Sequence, residues 1–103
     1  VQFPMVADVK HAITRAYGIE HPEAGVALRA SFLIDREGTV QHQVVNNLPL
    51  GRNVDEMLRM VDALQFTEQH GEVCPAGWNK GDQGMTPTSG GVADYLAVNA
   101  EKL

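Results

Sequence analysis

An α/β chain of element order β-α-β-β-α, followed by a loop-rich tail, is what the sequence predicts, on three observations. Residues 28–34 and 39–45 are two β-branched, apolar runs flanking Asp35-Arg36-Glu37-Gly38, a turn with glycine in its last position, and so read as an antiparallel hairpin. Asn53 with Glu56 three residues on opens a run in which Met57, Leu58, Val61 and Leu64 recur at helical spacing. From Gly71 onward the composition shifts to Gly, Pro, Ser and Asn, which ends the regular pattern.

Taken in order, residues 3–7 form a short apolar run containing Pro4, acceptable as a strand start or a sheet edge. Asp8 is placed to cap a helix reaching Tyr17, with Val9, Ala12, Ile13 and Ala16 on one face and Gly18 as its stop. Residues 19–27, with Pro22 and Gly25, read as a surface loop. In the second hairpin strand Val40, His42 and Val44 alternate with Gln41, Gln43 and Val45, leaving one face half polar, the pattern of an edge or interface strand. Residues 46–52 hold Pro49 and Gly51 and form a loop before the Asn53 helix, which should end near His70-Gly71. The apolar stripe of that helix should lie on the sheet. The tail carries Cys74-Pro75, Trp78, a flexible stretch over 81–91 and a last helical segment from Val92 to about Ala100. Residues 1–70 thus read as the packed domain and 71–103 as its tail. With only about 70 residues for packing, the core should be marginal by itself.

The 103 residues carry a net charge of −5, and the basic residues are scattered singly, so nothing resembles a phosphate-neutralising stripe and nucleic acid is not an expected partner. No run of apolar residues is long enough for a membrane span, and no basic segment precedes a short apolar one as in a signal peptide; the expected location is cytoplasmic. The chain starts at Val1 with residues that read as the inside of a strand, so the expectation is of an upstream portion. One cysteine excludes an intrachain disulfide and a structural zinc site, and His11, His21, His42 and His70 have no ligand spacing to it, so neither metal nor cofactor is expected. Any disulfide must join another chain.

Cys74 lies just past a helix end, in a segment too polar and glycine-rich for a core. A lone cysteine can be an inert small hydrophobe; an accessible thiol in a mobile tail is instead suited to thiol–disulfide exchange, which needs access and freedom to approach another sulfur. Arg29 opens an apolar strand, where its guanidinium either snorkels to water or stabilises an anion or a thiolate. Arg52 reads as a solvated loop arginine or an interface residue. Trp78 and Tyr95 are large aromatics in a tail with little else apolar and should dock on a surface outside it. His70 complements the dipole of the helix end.

Residues 66–78, which run from Phe66 through His70-Gly71-Glu72-Val73-Cys74-Pro75 to Trp78, are similar almost position for position to the resolving-cysteine region of typical 2-Cys peroxiredoxins. Residues 45–56, 3–8 and 29–35 resemble the same family's loop, helix start and strands, so that the resemblance covers residues 1–80. It implies the C-terminal half of a thioredoxin-like fold and a thiol-dependent peroxidase that reduces hydrogen peroxide and organic hydroperoxides without a cofactor. The peroxidatic cysteine, in a Pro-Thr-Cys motif, would lie upstream. By the same resemblance Cys74 is the resolving residue of an intersubunit disulfide, Arg29 steadies the peroxidatic thiolate and the peroxide oxygens, and thioredoxin or a flavoprotein reductase reduces the disulfide. Strand 39–45 would pair across a two-fold axis, and dimers would close into a decamer. The chain alone would be inactive. The tail departs from members sensitive to overoxidation, which have a terminal Tyr-Phe pair where this chain has Tyr95-Leu96. Two other readings stand beside this one: a non-catalytic, chaperone-like interaction fragment using exposed strand edges, and a redox adaptor using Cys74 alone.

Overall fold

The structure is a computed structural model and describes residues 2–99. Its elements are α1 (Ala12–Ala16), β1 (Arg29–Ile34), β2 (Val40–Asn46), α2 (Val54–His70) and α3 (Ser89–Asn99). They fall into two compact units, Val1–Arg52 and Asn53–Leu103.

In the first unit β1 and β2 form the expected antiparallel hairpin, with Arg29 opposite Asn46 and Leu33 opposite His42; an irregularity after Leu33 then sets Ile34 opposite Val40. Asp35 organises the turn. Its carboxylate accepts from the N–H groups of Glu37 and Thr39 at 3.0 and 2.9 Å and from the Gln41 amide at 2.8 Å. The Gln41 bond, then that from Thr39, holds the Asp35 carboxyl below the usual carboxylate range. Gly38, at φ 84°, takes the left-handed position that a side chain would strain. On β2 the face of His42, Val44 and Asn46 is half-buried, while Gln41, Gln43 and Val45 point to solvent. His42 Nε2 is buried without a hydrogen-bond partner.

Two expectations for this unit need correction. Residues 3–7 form no strand: a strand exists where a neighbour takes its ladder hydrogen bonds, and this stretch, with Pro4 lacking a donor, pairs with neither β1 nor β2. The described order is therefore α-β-β-α-α. The first helix also starts at Ala12 rather than after Asp8, because a backbone turn, His11 N–H to Asp8 C=O at 3.0 Å, uses up residues 8–11. Asp8 still serves the helix start from outside it, accepting from Thr14 N–H at 2.8 Å and Ile13 N–H at 3.2 Å. The Thr14 bond is the chief reason that its carboxyl lies below the usual range. Gly18, at φ 68°, stops the helix as expected, and Tyr17 meets Phe32 of β1 edge-on with ring centroids 4.8 Å apart.

In the second unit α2 begins and ends where its caps dictate. The Asn53 side chain accepts from Glu56 N–H at 3.1 Å, and Gly71 closes the helix at φ 64° with its N–H on the Thr67 carbonyl. Of the expected stripe Met57, Val61 and Leu64 are half-buried and Leu58 is 57% exposed, and the buried residue of α2 is Ala63. The reason lies in the tail, which packs rather than trails. Trp78, 2% exposed, stacks on Phe66 with ring centroids 5.0 Å apart, and Tyr95 of α3 is buried as well. α3 starts at Ser89, three residues before its expected start, because Thr88 accepts from Gly91 and Val92 N–H groups. Its expected last residue, Ala100, lies outside the described residues.

Candidate functional site

Cys74 sits on a loop that doubles back onto α2. The loop is closed at its ends by Val73 and Met85, which exchange N–H to C=O bonds of 2.6 and 2.8 Å. Between them the chain turns at Pro75-Ala76-Gly77, with Trp78 N–H on the Pro75 carbonyl and Gly77 at φ 74°. A second turn follows, in which Trp78 Nε1 donates to the Asp82 carbonyl at 3.1 Å and the Asp82 carboxylate accepts from Asn79 N–H at 2.9 Å. Gly84 passes directly beneath the Phe66 ring.

The thiol is half-buried. Its Sγ lies 3.5 Å from the Ala63 carbonyl oxygen and 3.7 Å from Thr67 Oγ1, one helical turn apart on α2. Cys74 is thus neither core nor freely displayed; it rests half-buried on the surface of α2.

Arg59, on the same side of α2, completes the surroundings. Its Nε and Nη2 donate to the two Glu56 carboxylate oxygens at 2.7 Å each, and its Nη1 donates to the Trp78 carbonyl at 2.6 Å. The Glu56 hydrogen bond is the main reason that the guanidinium is held above its ordinary range, and the negative form of Cys74 adds to it. Sequence reading missed Arg59 and Thr67. The signal was present as the helical spacing of Glu56, Arg59, Ala63, Phe66 and Thr67, a mixed face that an apolar-stripe criterion passes over.

Arg29 belongs to the other unit. It opens β1, is exposed, and donates from Nε to the Leu48 carbonyl at 2.6 Å, while Arg52 Nη1 donates to the Ala30 carbonyl at 3.1 Å. Both guanidinium groups are therefore tied to carbonyls at the start of β1 and the 47–52 loop rather than to carboxylates. Elsewhere in this unit, Glu20 accepts from Arg15 at 2.8 Å and lies 2.6 Å from His11 Nδ1; the Arg15 bond, then His11, holds its carboxyl below the usual range. Among the described residues no cluster of three or more His, Cys, Asp or Glu side chains is arranged to hold a metal, and no helix is long and apolar enough to cross a membrane.

Comparison with known proteins places this geometry. Residues 1–43 match the AhpC/TSA family and residues 63–97 match the C-terminal domain of 1-Cys peroxiredoxin. Alkyl hydroperoxide reductase C of Buchnera aphidicola subsp. Acyrthosiphon pisum is 60% identical over 97 residues, 94% of this chain and 49% of that protein. The protein of the same name from Helicobacter pylori strain J99 is 61% identical over 103 residues, 100% of this chain and 52% of its own. The crystal structure of reduced Plasmodium vivax 2-Cys peroxiredoxin superposes with a TM-score of 0.86 at 47% identity, covering 90% of this chain and 48% of that one. The chain spans about half the length of the curated relatives it matches.

Proposed function

The chain belongs to the AhpC/TSA family, and from that premise we propose that it is the resolving half of a thiol-dependent peroxidase acting on hydrogen peroxide and organic hydroperoxides. The attacking thiolate comes from a cysteine outside these residues, since Cys74 is the one cysteine here. Peroxide oxidises that thiolate to a sulfenic acid; the Cys74 thiol of a partner subunit condenses with it, an S–S bond forms and water leaves. Thioredoxin or a flavoprotein disulfide reductase then returns both sulfurs to thiols. Arg29 supports the reactive thiolate and the peroxide oxygens, for which a fixed, always-charged fork of donors is suited. The subunits pair through strand 39–45, whose Gln41, Gln43 and Val45 face is open, and dimers assemble into a decamer. The cytoplasm, where an exchanging thiol is kept reduced, is the fitting compartment.

The observation that carries this reading is the setting of Cys74: a lone thiol half-buried against Ala63 and Thr67, on a loop laid over α2, inside a thirteen-residue stretch of family character. In the native protein, Cys74→Ser should still form the sulfenic acid, trapped by a dimedone probe and seen by mass, while turnover with a thioredoxin system falls by orders of magnitude. Unchanged turnover would assign the resolving step to another thiol.

A second reading has support in the first unit, whose Phe3, Met5, Val6 and Val9 side chains stand uncovered: that of a non-catalytic interaction or chaperone-like module. Peroxide turnover measured beside solution mass separates the two, because such a module captures other chains without turnover.

A further inference from the structure

A thiol seated on a carbonyl oxygen is not presented to another sulfur, so the 73–85 loop has to lift off α2 before Cys74 can exchange. What holds it down is unevenly distributed. The Val73–Met85 pair closes the loop on itself and does not tie it to the helix. The Trp78 ring on Phe66 is an apolar contact without fixed direction. Besides these, the loop backbone is bound to an α2 side chain through Arg59, whose Nη1 reaches the Trp78 carbonyl four residues after Cys74. Its side chain is 28% exposed, and Glu56 grips its other two nitrogens, so the donor is aimed before the loop arrives.

We propose that Arg59 is the positioning residue for Cys74, a latch whose bond to the Trp78 carbonyl keeps the thiol seated on Ala63 and whose release sets how often the thiol is offered for exchange. Three bonds to three oxygens, two on Glu56 and one on Trp78, suit a guanidinium fork; an ammonium cannot hold the Glu56 carboxylate bidentately and still reach the carbonyl in line. The influence of Cys74 on the Arg59 charge places the two within electrostatic reach and is consistent with this role. The inference rests on reading Cys74 as an exchanging thiol, but the latch can be read without peroxide.

The test is the rate at which iodoacetamide alkylates Cys74 in the reduced native protein, followed by the mass of the Cys74 peptide from neutral pH to the alkaline plateau. On that plateau the sulfur is fully thiolate, so any effect of Arg59 on ionisation drops out and loop opening remains. Arg59→Met, which keeps length and loses the fork, should raise the plateau rate about tenfold or more, as expected for the loss of a charge-assisted hydrogen bond. Arg59→Lys should fail to restore it, and Glu56→Gln should give a smaller rise, since the guanidinium then loses its aim. Amide exchange within α2 should stay at its original rate in all three. A wild-type plateau in Arg59→Met overturns the proposal; should that variant fail to fold, a wild-type plateau in Glu56→Gln overturns it instead. If Cys74→Ser leaves peroxide turnover intact while Arg59→Met still speeds alkylation, the latch stands and the resolving role falls.

Discussion

The two units of this chain hold themselves together by different means. The buried apolar side chains among the described residues, Ala63, Trp78 and Tyr95, all belong to residues 53–103. Residues 2–52 bury none, and expose Met5 and Val9 by 76% and 82%; their geometry is fixed by carboxylates placed on backbone N–H groups and by a single hairpin. They also keep His42 Nε2 buried without a partner, which native folds rarely tolerate. The second unit is thus closed by its own packing. The first leaves apolar side chains such as Met5 and Val9 uncovered, and a two-stranded ribbon with an uncovered face is marginal in water.

The largest effect should come from Trp78→Ala. Removing a fully buried aromatic costs about 3–5 kcal/mol in a well-packed site, and here the ring also supports Phe66 and fixes the Asp82 turn. The loop over 73–85 should lose amide protection and Cys74 should become freely alkylated, while the exchange pattern of the β1–β2 hairpin stays as it was. Equal loss of protection in the hairpin would break the comparison, because it would make the two units one cooperative body.

That contrast also explains what could be read beforehand. The helix α2 and the hairpin were legible because their signals are local: Asn53 and Gly71 cap the one, and the Asp35–Gly38 turn sets the other. The strand expected at residues 3–7 was not, because a strand depends on a neighbour, and strand-like composition only permits pairing. Cys74 and Arg29 were found as candidates from chemistry and family resemblance. Arg59 was passed over because a charged residue on a helix reads as solvated until a backbone carbonyl from nineteen residues away is seen to land on it. The docking of Trp78 outside the tail was expected and is found on Phe66, but the glycines were read only as flexible, whereas Gly84 is there for closeness to the Phe66 ring.

Gly84 and Gly38 turn this into a second test, smaller than the first. A Cβ at Gly84 would stand 2.6 Å from Phe66 Cε1 and 3.2 Å from Glu72 Cβ, and Phe66 cannot easily yield while it lies against the tilted rings of Trp78 and His70. Overpacking of this kind costs about 1–3 kcal/mol. A Cβ at Gly38 meets nothing within 4 Å and costs only the strain of a left-handed φ, roughly 1 kcal/mol. Gly84→Ala should therefore lower the stability read from amide exchange of residues 73–85 more than Gly38→Ala lowers that read from the hairpin amides. The reverse order would mean that backbone strain in the hairpin outweighs packing in the tail.

The smallest effect is one of pH, and it bears on the carboxylates of the first unit. Asp8, Glu20 and Asp35 all lie in the first unit and are all held below their ordinary values of 3.8, 4.5 and 3.8 by hydrogen bonds to the ionised form. A carboxyl lowered on folding contributes stability that is present above its ordinary value and is lost as pH falls through the lower one. Arg15 of the first unit and Arg59 of the second are held above their ordinary range, chiefly by their bonds to Glu20 and Glu56, and stay charged throughout the acid range. As pH drops below about 4, the 35–39 turn and the α1 start should lose amide protection first, each by a modest amount because the groups are exposed and screened. The single tryptophan, sealed in the second unit, should keep its buried emission over the same interval. If Trp78 fluorescence and the hairpin amides titrate together instead, the hydrogen-bonded carboxylates of residues 2–52 are not what distinguishes that unit, and its dependence on a covering surface becomes the stronger explanation of its weakness.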